Sequence, residues 1–114
     1  MVKLVRIDAN GRVVDGDRRI HVTPNGPNIP AQAGHAGDAG GPDQVKWLRV
    51  GNGQWEIHFR YDEGSPFTGT GPFDVPGPPA TVSGNAQGTY KYDVRAKGAN
   101  PTDPPTDDPD VIVD

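Results

Sequence analysis

Three histidines and fifteen carboxylates are the side chains with which this chain could bind a metal or move a proton. His58 stands between Glu56 and Arg60 on the polar side of an alternating segment, His21 lies out of register with Ile20 and Val22, and His35 is isolated among Gly and Ala. Only folding could bring three imidazoles together as a metal site. The acids fall at turn spacing, in Asp8-Ala9-Asn10-Gly11, in Asp15-Gly16-Asp17 and in the group Asp103, Asp107, Asp108 and Asp110. A calcium loop needs several oxygen ligands in an Asp-x-Asp-x-Asp-Gly run closed by a distal Glu, and no segment completes it. Asp and Asn are favoured in turns for their own backbone hydrogen bonds. The four C-terminal aspartates are therefore weak calcium candidates, and no resident metal or cofactor is expected.

Other chemistry is thinly supplied. There is no Cys, which removes thiol catalysis, disulfides and thiolate metal sites together. Ser65 and Ser83 both lie outside a Gly-x-Ser-x-Gly elbow, and Glu56 and Glu63 are the only glutamates. Gly51-Asn52-Gly53 and Gly69-Thr70-Gly71 lack the third glycine, the lysine and the following helix of a phosphate-binding loop. The chain is not expected to be an enzyme.

Charge and hydropathy narrow the partners. Eleven bases face fifteen acids for a net charge of −4, which opposes attraction to a phosphate backbone, so nucleic acid is not an expected partner. No apolar run approaches the roughly 20 residues of a membrane-spanning helix, and the first residues lack the apolar core of a signal peptide. No membrane association is expected, and the compartment is open, cytoplasmic by default. Asn100-Pro101-Thr102 has Pro in the middle and cannot accept a glycan.

The elements that would position any site read as strands. Val2 and Leu4 alternate in one register and Val5 and Ile7 in the other, before a turn at Asp8 to Gly11 and a short return at Arg12-Val13-Val14. Ile20 and Val22 share one face of a further strand. Val45 and Trp47 oppose Lys46 in the next, and after Gly51-Asn52-Gly53 the residues Trp55, Ile57, Phe59 and Tyr61 share one face while Glu56, His58 and Arg60 take the other. This pair is expected to form a hairpin. Tyr90, Tyr92 and Val94 alternate inward, and Val111-Ile112-Val113 closes the chain. The expected core is Trp47, Trp55, Ile57, Phe59, Tyr90, Tyr92 and Val94. With 16 Gly and 13 Pro, the remainder reads as large connections at about 24–42, 64–88 and 98–109, the second carrying Phe67, Phe73, Val75 and Val82 as isolated anchors. No Pro- and Gly-free window has helical apolar spacing. The expected fold is one all-β domain over 1–114, an antiparallel Greek-key sandwich of about seven short strands.

Several pieces carry a family likeness. Asp43-Gln44-Val45-Lys46-Trp47, Ile57-His58-Phe59, Ser65-Pro66-Phe67, Gly88-Thr89-Tyr90-Lys91-Tyr92 and Asp110-Val111-Ile112-Val113 occur in an order that resembles the cupredoxin-like, plastocyanin-type sandwich, with an immunoglobulin-like sandwich as the alternative. The resemblance covers about 70 residues, from Asp43 onward. It implies a copper scaffold whose two His and one Cys ligands would fall at the positions of Trp55, Lys97 and Val94, and no Met follows, the only one being Met1. A blue-copper site needs a thiolate and two imidazoles. The likeness thus implies the scaffold without its copper chemistry. On such a scaffold the expected function is non-enzymatic binding of another protein through loops or sheet edges. The alternatives are a structural subunit binding copies of itself in a virion decoration, filament or surface layer, and a calcium-dependent domain.

Overall fold

The computed structural model describes residues 1–24, 41–59, 64–69, 71–100 and 102–114. Eight strands are found there: β1 (Val2–Ile7), β2 (Arg19–Val22), β3 (Gln44–Arg49), β4 (Trp55–Phe59), β5 (Phe73–Val75), β6 (Ala80–Thr81), β7 (Gly88–Ala96) and β8 (Asp110–Val113), with one 3-10 turn at Asp15–Asp17. They form two sheets in a sandwich-like, all-β arrangement, ordered β1-β3-β6 and β2-β8-β7-β4-β5. Of the connections, 24–42 lies almost entirely outside the described residues, as do His35, Arg60 and Tyr61.

Three expectations about connectivity are corrected. The sheets are mixed rather than antiparallel throughout, because β1 runs parallel to β3 and β2 parallel to β8. Parallel neighbours need long crossovers, and many residues do separate each of these pairs in sequence. The segments at 44–49 and 55–59 do not pair as a hairpin. β3 bonds to β1 and β6, whereas β4 bonds to β5 and β7. Period two reveals which side chains share a face but not which edge each strand takes. Here the short corner after β3, where Arg49 Nη1 donates to the carbonyls of Asn52 and Gly53 at 3.3 Å each, carries the chain into the opposite sheet. Val45 and Trp47 thereby face the inner side of the other sheet. Finally, Phe73–Val75 and Ala80–Thr81 are strands rather than loop, whereas Arg12-Val13-Val14 makes only a single bridge, Val13 to Ile7.

The two inner faces meet in one apolar layer. Val5, Ile7, Val45 and Trp47 of the small sheet oppose Trp55, Ile57, Val75, Tyr92, Val94, Val111 and Val113 of the large one, all buried, with Phe59 and Tyr90 half-buried at its margin. Each large apolar side chain so buried contributes about 1.5–3 kcal/mol. At the centre the rings of Trp47, Phe59, Phe67, Phe73 and Tyr92 lie 5.4–6.2 Å apart, most of them edge to face, the arrangement favoured by aromatic quadrupoles. Trp47 Nε1 donates to the Tyr92 hydroxyl at 3.3 Å across the sandwich. Burial pushes the ionisation of that phenol well above its ordinary value, and the Trp47 donor only partly offsets the effect.

Candidate interaction surface

The positions where the family likeness would put copper ligands come together at one end of β4 and β7. Trp55 pairs with Ala96, Ile57 pairs with Val94, and the Lys97 amide donates to the Gln54 carbonyl at 3.0 Å. These residues do not fit a copper ion. Val94 is buried and has no donor atom, and the indole of Trp55 fills the space beside Gly11, Gly53 and Thr106. A Cβ on Gly11 would stand 2.6 Å from the Trp55 ring and from Thr106 Oγ1, and one on Gly53 would stand 2.7 Å from the same ring. Gly11 also has φ +78°, a conformation that suits glycine. Thr106 Oγ1 lies 2.7 Å from the Gly11 carbonyl and 2.9 Å from the Val94 carbonyl, closing the packing around the ring.

The C-terminal aspartates are engaged by nearby bases. Asp107 accepts from Arg18 at 2.5 Å and from the Val13 amide at 2.8 Å, and its side chain is 7% exposed. Burial raises the Asp107 carboxyl, but Arg18 and the amides of Val13 and Asp108 outweigh it and hold the group below its ordinary range. Asp108 and Asp110 share Lys91, at 3.9 and 3.5 Å, and Asp110 also lies 3.9 Å from Arg19. Asp103 offers its backbone carbonyl to Arg95. Among the described residues no three His, Asp or Glu side chains, those of Asp103, Asp107, Asp108 and Asp110 included, converge to hold a metal ion. Asp107, Asp108 and Asp110 are ion-paired to three bases, Arg18, Lys91 and Arg19. His21 faces Asp114 at 3.1 Å and His58 faces Glu56 at 3.3 Å, on different strands of the large sheet.

The outer face of the small sheet is different in kind. Side chains alternate across a strand, so Val2, Leu4 and Arg6 on β1 point away from the core beside Gln44, Lys46, Leu48 and then Val50 on and after β3. Among the described residues the exposed large hydrophobics are Met1 (75%), Val2 (49%), Leu4 (54%) and Val50 (66%); Met1, Val2 and Leu4 lie together at the start of β1, and Val50 lies past the far end of β3. Leu48 is half-buried between them. On this face β1 and β3 carry Arg6 and Lys46 and no acid of their own, while Lys3 and Arg49 fall in the opposite register. Arg6 is paired to Asp17 at 2.9 Å, and that hydrogen bond holds the Asp17 carboxyl below its ordinary range.

No family model, no curated protein and no solved structure matches this chain.

The apolar outer face has a sequence signal that a search for reactive residues passes over. In Val2-Lys3-Leu4-Val5-Arg6-Ile7 both registers are apolar, and Leu48 and Val50 follow on the side of β3 opposite Val45 and Trp47. A strand apolar on both faces is either covered twice or leaves one face to a partner.

Proposed function

We propose that this chain is a non-enzymatic protein-binding module on a copper-free cupredoxin-like scaffold. The convergence of Trp55, Val94 and Lys97 supports the scaffold assignment, since the three positions that the resemblance gives for the ligands meet at one end of a strand pair. The β-sheet order supports it too: the Gly-x-Tyr-x-Tyr strand β7 lies between the closing strand β8 and β4. The observation that carries the binding function is the exposure of Val2 and Leu4 on the outer face of the small sheet, with Val50 exposed farther along, since covering exposed apolar side chains with a partner is favourable. A photo-crosslinking residue placed at Val50 is expected to capture a protein partner in cells producing the chain, while the same residue at exposed Thr89 on β7 captures little. Equal capture from both positions would overturn the reading.

A further inference from the structure

We propose that the free edge of β1 is the docking site for an extended acidic segment of another protein, which adds as a strand beside Val2 and Leu4 and sets its carboxylates against the bases of the small sheet. The inference rests on the binding-module reading and names its partner.

The backbone geometry picks out the edge. In the parallel ladder between β1 and β3 the odd residues bond to β3: the Gln44 amide donates to the Met1 carbonyl at 2.9 Å and the Val50 amide to the Ile7 carbonyl at 2.8 Å. The amides and carbonyls of Val2, Leu4 and Arg6 therefore point to the free edge. At Arg6 they are taken, the amide by Asp17 Oδ2 at 2.9 Å and the carbonyl by the Val14 amide at 3.0 Å. At Val2 and Leu4 nothing among the described residues takes them, so two donors and two acceptors form a short open template.

The other edges are guarded. β5 is flanked by Pro72 and Pro76, which cannot extend a ladder. The end of β2 is tied by a Thr23 amide to Asp43 carboxylate bond at 3.0 Å, and its exposed residues Arg19 and His21 are polar. β6 has only two residues and is followed by the bridge between Val82 and Phe67. An open edge bearing apolar side chains thus occurs at β1 alone among the described strands.

Charge selects the occupant. A second copy pairing antiparallel about Lys3 would set Val2 against Leu4 but Lys3 against Lys3, and like charges directly opposed destabilise a sheet. A lipid surface would meet the bases and the apolar side chains but leaves the four backbone groups without partners. A foreign strand alternating acidic and apolar residues meets all three requirements.

The test is selection of a random linear peptide library on the full-length protein. Enrichment of sequences that alternate acidic and apolar residues is expected, with binding lost in Leu4→Pro and weakened about tenfold or more in Lys46→Glu. Because the Leu4 amide plays no part in the β1 to β3 ladder, Leu4→Pro removes an outward donor without breaking a bond of that ladder, and an unchanged circular dichroism spectrum verifies its fold. Leu4→Lys, which keeps the amide, serves as a second variant and should retain hydrogen-bond pairing with reduced apolar contact. Enriched peptides that bind Leu4→Pro equally well would overturn the inference while leaving the binding-module reading intact. Absence of any enrichment would count against both. A Leu4→Pro-sensitive dimer in sedimentation, or Leu4-dependent co-sedimentation with phosphatidylserine vesicles in place of peptide binding, would overturn it in favour of a second copy or a membrane surface.

Discussion

Replacing Gly11 by Ala probes the sealed end of the sandwich, where the scaffold's likeness would place a metal. Two costs add at this position. With φ at +78°, an L residue is left-handed, at about 1–2 kcal/mol. Its Cβ also stands 2.6 Å from both Trp55 Cζ3 and Thr106 Oγ1, and such overpacking costs about 1–3 kcal/mol. The expected loss is about 2–5 kcal/mol, or a fall in melting temperature of about 10 °C or more, read by thermal circular dichroism and checked by the urea midpoint. Gly53→Ala isolates the second cost, because that glycine has no positive φ and its Cβ meets the same ring at 2.7 Å. It should lose about 1–3 kcal/mol. In a Trp55→Leu background the Gly11→Ala penalty should shrink, leaving the backbone cost and the Thr106 contact. A penalty below about 1 kcal/mol in the wild-type background, or one undiminished by Trp55→Leu, would refute the packing argument.

Further outcomes follow from the buried polar contacts. Asp107→Ala strands the buried Val13 amide, at about 1–3 kcal/mol, whereas Arg18 is partly exposed and regains water, so its lost pairing adds little; chemical denaturation at neutral pH measures the sum. The carboxyls of Asp17 and Asp107 are both held below the ordinary carboxylate range. Their stabilisation is therefore complete above about pH 4 and is lost as pH falls through the lowered native values, so the acid limb of a stability profile should be shallower in Asp17→Asn/Asp107→Asn. Tyr92→Phe leaves Trp47 Nε1 buried without its acceptor and should cost about 1–3 kcal/mol by urea titration; in the parent, burial should keep Tyr92 from ionising with an ordinary tyrosine in an ultraviolet pH titration. Calcium or chelator should leave the melting temperature unchanged, since Asp107, Asp108 and Asp110 are engaged with Arg18, Lys91 and Arg19.

Much of the fold is legible in the alternation of large apolar residues. Val45 with Trp47, Trp55 with Ile57, and Tyr92 with Val94 each mark a buried face of a strand, because a pleated backbone sends every second side chain into the core. What alternation leaves open is edge choice. Nothing in Arg49 to Gln54 distinguishes a hairpin from a corner that changes sheets, and the corner prevails where Trp47 reaches Tyr92 across the core. The two short strands at Phe73–Val75 and Ala80–Thr81 are hidden because Pro and Gly interrupt them on both sides, so their strand character comes from pairing with β4 and β3 rather than from local pattern. The candidate surface is legible only in retrospect of topology. Val2 and Leu4 read as apolar, but their exposure depends on β1 taking a sheet edge, and the C-terminal aspartates find the bases Arg18, Arg19 and Lys91 only through the strand pairing.

Amide hydrogen exchange of the full-length protein, followed residue by residue with and without a selected acidic peptide, tests the central claim most directly. Strand addition at β1 requires that the Val2 and Leu4 amides, open to water in the free protein, become protected on binding, while Arg6, already bonded to Asp17, changes little. Protection that appears instead at β2, β5 or β6, with Val2 and Leu4 exchanging as before, would contradict it.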